Sequence, residues 1–218
     1  MAEPTPPTPP HPTPPLPRVR QVLCARPRGA RVPGRAVDLP PLHERERPHR
    51  PRLARRGGGA VKATFTDHPG GDIFASGADL LVCPVNCVPG VMGKGLALEF
   101  ARRWPDLKRS HRVLCERGLL RPGVALFVGG ATGQQAAFVP TKNHWRDRSD
   151  IATVSSGILG LGKILHGVPE WAAGRAVAIP ALGCGLGRLA WADVRPLIVE
   201  ALADLPLRVM LYPPHEAP

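Results

Sequence analysis

Apolar positions along the chain change period several times, and each change predicts an element. Lys62 to Thr66 alternates as a strand does. Leu80, Leu81, Val82, Cys83 and Val85 form a nearly continuous apolar run, the pattern of a strand buried on both faces of a parallel sheet. Leu96, Ala97, Phe100 and Trp104 recur at helical spacing, with Glu99, Arg102 and Arg103 opposite them, and Pro105 predicts the end of that helix. A second helix is expected over Asp106 to Glu116, closed by Gly118.

Val124 to Val128 and Ala136 to Thr141 read as strands around the turn Gly129-Gly130-Ala131-Thr132-Gly133. Ile151, Val154, Ile158, Leu161 and Leu165 then mark a helix that Ser149 is expected to cap and that Gly157, Gly160 and Gly162 weaken. Ala176 to Pro180 is another apolar strand. Val194, Leu197, Ile198, Ala201 and Leu205 line a helix whose Pro196 is tolerable in a first turn, which makes Asp193 the expected N-cap. Arg208 to Leu211 is the last strand. This alternation predicts an α/β sandwich, a mixed central sheet with helices on both faces.

The first sixty residues break the pattern. Met1 to Pro17 is mostly Pro and Thr, and Arg18 to Gly59 mixes Arg, Pro and Gly with no sustained apolar period, the composition of a disordered tail. Up to Lys62 there are 13 Lys or Arg against 4 Asp or Glu, a net of +9, out of +12 for the whole chain. The remaining +3 leaves the globular part nearly neutral, so charge alone does not make it a nucleic-acid binder. The expected organisation is a tail over residues 1–60, one domain over 61–213 and a short tail over 214–218. No segment reads as a secretory signal or a membrane span. Five scattered cysteines (Cys24, Cys83, Cys87, Cys115 and Cys184) fit a reducing, cytoplasmic compartment, and their spacing suggests no metal site.

Two glycine-rich loops, each between an apolar strand and a helix, carry the candidate chemistry. The first runs from Asn86 through Gly90, Val91, Met92, Gly93 and Lys94 to Gly95; the second is Gly183-Cys184-Gly185-Leu186-Gly187. Glycines permit close backbone approach, and helix starts offer unpaired N–H groups, so two such loops at adjacent strand ends suit a diphosphate. The first is not a Walker A loop, because Val88 stands where the leading glycine belongs and Gly95 follows Lys94 in place of Ser or Thr. Nor does it carry the acidic residue of a dinucleotide fingerprint. A turn without ligand remains the plain alternative.

Four segments in order, GDIF at 71–74, VNCVPGVMGKGLALEF at 85–100, FVPTKNHWRDRS at 138–149 and IPALGCGLGRLAW at 179–191, resemble a macrodomain. Within that class they are similar to DarG-type DNA ADP-ribosyl glycohydrolases. The resemblance implies an ADP-ribose pocket and removal of ADP-ribose from bases of single-stranded DNA, with no cofactor. It also implies that Asp72 accepts the adenine amino group beside Ile73, that Asn86 orients the distal ribose, and that loop 90–95 wraps that ribose. Gly183 to Gly187 would hold the diphosphate, and Lys142, after Thr141, would be catalytic.

His144, Trp145 and Arg146 are candidates for contact with the base or a phosphate, although Trp145 equally fits a core position. Arg102, Arg103, Lys108, Arg109 and Arg112 form a cluster readable either as a track for single-stranded DNA or as a solvated helix face. Pro89 lengthens the first loop, Arg188 and Ala190 depart from common family residues, and Gly187 stands where glycohydrolases acting on acidic side chains carry Asp. The last difference favours DNA over a glutamate-linked substrate. The alternatives are a protein-linked ADP-ribose hydrolase, an ADP-ribose 1″-phosphate phosphatase and a non-catalytic ADP-ribose-binding module. A cognate ADP-ribosyltransferase toxin is the expected partner, but no second globular region follows Tyr212, so neutralising it by binding is not expected of this chain.

Overall fold

Strand β2 (Leu80–Val85) shows why the molecule has two cores. Successive side chains of a strand point to opposite faces, so Leu80 and Val82 enter one apolar cluster while Leu81, Cys83 and Val85 enter another. A computed structural model of the chain describes residues 62–129 and 134–214. The expected tail over 1–60 with Cys24, the turn residues 130–133 and residues 215–218 lie outside the described residues.

The sheet has six strands: β1 (Thr64–Asp67), β2, β3 (Leu126–Val128), β4 (Gln135–Pro140), β5 (Ala176–Pro180) and β6 (Arg208–Tyr212), in the spatial order β1-β6-β5-β2-β4-β3. All neighbours are parallel except β3 and β4, which pair antiparallel with Leu126 opposite Phe138. Helices α3 (Ile151–His166), α4 (Pro169–Ala172) and α5 (Trp191–Leu202) cover one face through Val154, Ile158, Leu161, Ala172, Val194 and Ile198. Helices α1 (Gly95–Arg103) and α2 (Pro105–Glu116) cover the other through Phe100, Leu107 and Leu114. This is the expected three-layer α/β/α sandwich with a mixed sheet.

Several local expectations are corrected. Ser149 does not cap α3; Asp150 does, its carboxylate accepting from the Thr153 N–H at 2.8 Å. The shorter serine is buried beneath the second glycine loop instead. Asp193 does not cap α5 either: the helix begins at Trp191 with Ala190 at the cap and no side-chain bond, which places Pro196 inside it. The carbonyl that Pro196 cannot serve is that of Ala192, an exposed residue that water reaches, so the break is tolerable. Pro105 ends α1 by opening α2 as its first residue. The short helix α4 was not legible in the sequence, because four residues are too few to show a period.

The glycines of α3 do more than weaken a helix. A Cβ on Gly157 would lie 2.9 Å from Val139 Cγ1, and one on Gly162 would lie 2.8 Å from the Ala201 carbonyl oxygen of α5. Propensity alone would make Gly162→Ala stabilising by about 1 kcal/mol. Contact with a backbone oxygen reverses the sign, and a loss of about 1–3 kcal/mol is expected, read as a lower denaturant midpoint.

Candidate functional site

The carboxyl ends of the parallel strands all open on one side of the sheet. The segments after β1, β2, β4, β5 and β6 together line a cleft of about 1060 Å³. The register of β2 with β4 sets Val85 against Pro140, so Asn86 and Thr141-Lys142 emerge side by side. The Thr141 N–H donates to the Val85 carbonyl at 3.0 Å, and the Cys87 N–H donates to the Asn143 carbonyl at 2.9 Å, tying the two loops together.

Asn86 shapes the first loop through both ends of its amide. Its Oδ1 accepts from the Val88 N–H at 2.9 Å and its Nδ2 donates to the Val91 carbonyl at 2.8 Å. Gly90 (φ +70°) and Gly95 (φ +58°) take the left-handed conformations that this tight path needs. Val91, Met92, Gly93, Lys94 and Gly95 line the cleft, whereas Gly90 does not and Pro89 is exposed outside it. The Lys94 side chain makes no capping bond at the start of α1, leaving the helix N–H groups for a ligand.

Behind Asn86 stands a residue that the sequence pattern did not single out. His111 of α2 is fully buried, with Nε2 at 2.8 Å from the Asn86 carbonyl, where it donates, and Nδ1 without a partner among the described residues. Burial lowers its pKa, outweighing the bond to Asn86, which raises it. A histidine held neutral in the folded state but free to protonate when unfolded contributes stability above its ordinary value of 6.5 that is lost as pH falls below it. The melting temperature is therefore expected to drop on acidification through that range, and His111→Gln should flatten the drop.

Gly183, Gly185, Leu186 and Gly187 of the second loop line the cleft, but Cys184 does not. Its N–H donates to the Ala181 carbonyl at 3.1 Å, its Sγ donates to the Leu182 carbonyl at 3.5 Å, and it packs toward the α3–α5 core, where burial pushes the thiol up to about 11. The assignment of Cys184 to the ligand is thereby corrected: neither its side chain nor its N–H is available. Among the described residues the N–H groups of Gly185, Leu186 and Gly187 have no backbone acceptor, which makes them the donors suited to an anion. Leu186 is 66% exposed and reaches across to Gly95, so the loops face each other over the cleft.

Lys142 lies on the cleft wall with Nζ donating to the Asp147 carbonyl at 2.6 Å. Burial lowers its pKa, and the Asp147 carboxylate partly restores it. That carboxylate also accepts from the His144 N–H at 3.0 Å, and the Arg146 N–H donates to His144 Nδ1 at 3.2 Å, so the loop is closed on itself. Trp145 lines the mouth at 45% exposure, with the Arg146 guanidinium 4.6 Å above its ring and the His144 ring 5.4 Å away. The core reading of Trp145 is corrected. His144 and Arg146 do not line the cleft; they brace the indole.

At the opposite end Asp72 Oδ1 accepts from the Phe74 N–H at 2.9 Å, and Ile73 is buried beside it. Arg103 stands 4.2 Å over the Phe74 ring and 3.5 Å from Asp72 Oδ2. Phe74, Arg103 and Tyr212, which stacks on His68 at 5.3 Å, line this end and were not expected there. Phe74 was legible as the last residue of GDIF, and Tyr212 as the one tyrosine in the chain. Nothing in the sequence joined Arg103 to them. No group of His, Cys, Asp and Glu among the described residues is arranged to hold a metal ion.

The cleft thus has a carboxylate and aromatic end, backbone donors from the two glycine loops, and an end built from Asn86, Lys142 and Trp145. No protein-family model matches the chain. It is 37% identical over 150 residues to a Mycobacterium tuberculosis protein named DNA ADP-ribosyl glycohydrolase, covering 66% of this chain and 41% of that one, so it spans about two fifths of that relative's length. The solved macrodomain of Mycobacterium tuberculosis DarG superposes with a TM-score of 0.62 at 34% identity, covering 70% of this chain and 99% of that one. Thermosipho africanus DarTG in complex with ADP-ribose superposes with a TM-score of 0.60 at 31% identity, covering 68% of this chain and 42% of that one. A whole solved domain is matched in sequence and in fold: the chain belongs to the macrodomain family, and within it to the DarG type.

Proposed function

We propose that this chain is a hydrolase that binds ADP-ribose and removes it from a base of single-stranded DNA, with Lys142 as the catalytic residue. The observation that carries the reading is Lys142 beside Asn86 on the cleft wall, with an exposed tryptophan at the mouth. The Mycobacterium tuberculosis relative is named a DNA ADP-ribosyl glycohydrolase, and the Thermosipho africanus structure holds ADP-ribose. Adenine is placed at Asp72, Ile73 and Phe74, the diphosphate against the N–H groups of Gly185 to Gly187 and the start of α1, and the distal ribose between Asn86 and Lys142. Trp145 offers a flat face on which an unpaired base stacks.

In the proposed reaction the neutral Lys142 Nζ bonds to the anomeric carbon of the distal ribose as the bond from that carbon to the base nitrogen breaks. The base nitrogen takes up the proton that the amine nitrogen gives up on bonding. Water then displaces the amine, leaving a hydroxyl on ADP-ribose and restoring the lysine. Burial favours the neutral amine that this route needs. The domain is taken as residues 61–213, acting in the cytoplasm, where the four described cysteines remain free thiols. No helix among the described residues is long and apolar enough to cross a membrane. The substrate requires a partner activity, a transferase that places ADP-ribose on DNA.

The test sets an ADP-ribosylated single-stranded oligonucleotide beside a glutamate-linked ADP-ribosylated protein. Release from DNA alone is expected. Release from the protein alone would overturn the substrate assignment, and intact ADP-ribose binding with no release from either would make the chain a binding module.

A further inference from the structure

The cleft accounts for recognition of ADP-ribose and leaves the DNA strand itself without a contact surface. Among the charged groups outside the site, those of α2 have a distinctive position. His111 holds the Asn86 carbonyl from behind, and its neighbour Arg112 lies against the outer side of the same loop, its Nε 3.0 Å from where a Cβ on Gly90 would stand. Helix α2 therefore backs the reactive end of the cleft, from which a modified base must lead out to its strand. The basic cluster of the sequence divides here. Arg103 belongs to the adenine end and Arg102 is paired with Glu99 at 2.9 Å, whereas Lys108, Arg109 and Arg112 are exposed and form no ion pair among the described residues.

Lys108 and Arg112 are four positions apart, so they stand in one row about 6 Å apart along the helix. Glu116 ends that row as an exposed carboxylate. We propose that this exposed side of α2, led by Arg112 and Lys108 with Arg109 beside them, is the track that holds the phosphates of the substrate strand on either side of the base seated at Trp145. The proposal rests on the DNA reading above. Ammonium and guanidinium groups bind phosphate through charge-assisted hydrogen bonds and release counterions as they do so, so the interaction is independent of sequence and weakened by salt.

The test uses the full chain, wild type and Lys108→Glu/Arg112→Glu, on an ADP-ribosylated oligonucleotide and on an ADP-ribosylated nucleoside that has no DNA phosphate. The variant is expected to raise KM for the oligonucleotide about tenfold or more and to reduce the salt slope of log KM by about 1.4, because two phosphates are no longer neutralised. Its kinetics on the nucleoside and its ADP-ribose affinity should match wild type. Glu116→Gln should act in the opposite direction, lowering KM for the oligonucleotide. Equal loss on both substrates, or no loss on either, would overturn the track. Fluorescence anisotropy with an unmodified oligonucleotide reads the track without catalysis: weaker binding by the variant supports it and unchanged binding overturns it, even if wild type releases ADP-ribose from neither substrate and the proposed reaction fails.

Discussion

Lys142→Ala is expected to slow release of ADP-ribose by about 10³-fold, close to 4 kcal/mol of transition-state stabilisation, while ADP-ribose affinity stays within a factor of about three. The two effects separate because the Lys142 side chain holds nothing that cradles the ligand: its one described bond is to the Asp147 carbonyl. In the proposed reading adenine and diphosphate are left to Asp72, Ile73 and the backbone of the second loop. The pH profile discriminates between chemical roles. Burial holds the ammonium pKa below its ordinary 10.5 and the Asp147 carboxylate pulls it partly back, so the neutral amine accumulates as pH rises through a value below 10.5. A nucleophilic lysine therefore gives a rate that climbs to a plateau across that range. A lysine acting as a charged donor gives a rate that falls there. Asp147→Asn removes the charge that favours the ammonium and should move the rising limb to lower pH. Lys142→Arg, which keeps charge without a neutral amine, should be as slow as the alanine variant.

Gly187→Ala is expected to abolish measurable ADP-ribose binding and to destabilise the fold by about 3 kcal/mol. A Cβ there overlaps both the Ser149 hydroxyl and the Gly183 carbonyl oxygen. The Ser149 hydroxyl has no partner among the described residues and could turn aside, but its Cβ would still lie 2.8 Å away, and the Gly183 carbonyl is held by the Leu189 N–H at 3.1 Å, so rotating one side chain does not clear the clash. The loop must open, and its three N–H donors lose their convergence. Ser149→Gly in the same chain removes one of the two obstructions and should recover part of the stability but little of the binding. Full recovery of binding in the double variant would show that the Gly183 backbone relaxes and that the rigidity ascribed to this loop is wrong. The same crowding explains why an acidic side chain has no room at this position.

Much of this site was legible because its parts are local. Glycines with positive φ, an asparagine that bonds two and five residues ahead, and a lysine followed by its closing aspartate all act within a few residues, and short-range patterns record such constraints. Cys184 was misassigned because a motif names a segment and not the direction of each group in it. Ser149 and Asp150 are adjacent and both able to cap. The choice between them fell to the second glycine loop, which is distant in sequence and buries the serine.

Periodicity and the backbone freedom of single residues were enough to set the order of strands and helices apart from the short α4, the two-sided burial of Leu80 to Val85, the two glycine loops and the polar residues between them. Which of these meet was settled by tertiary packing. Pairing β2 with β4 brings Asn86 to Lys142, packing α2 behind the first loop sets His111 on the Asn86 carbonyl and Arg112 against the outer side of that loop, and packing α1 against Phe74 takes Arg103 to Asp72. Exposure of Trp145 belongs to the same class. The partners of long or aromatic side chains are chosen by what lies across the sheet or the cleft, and that depends on strand register and helix packing among residues far apart in the chain.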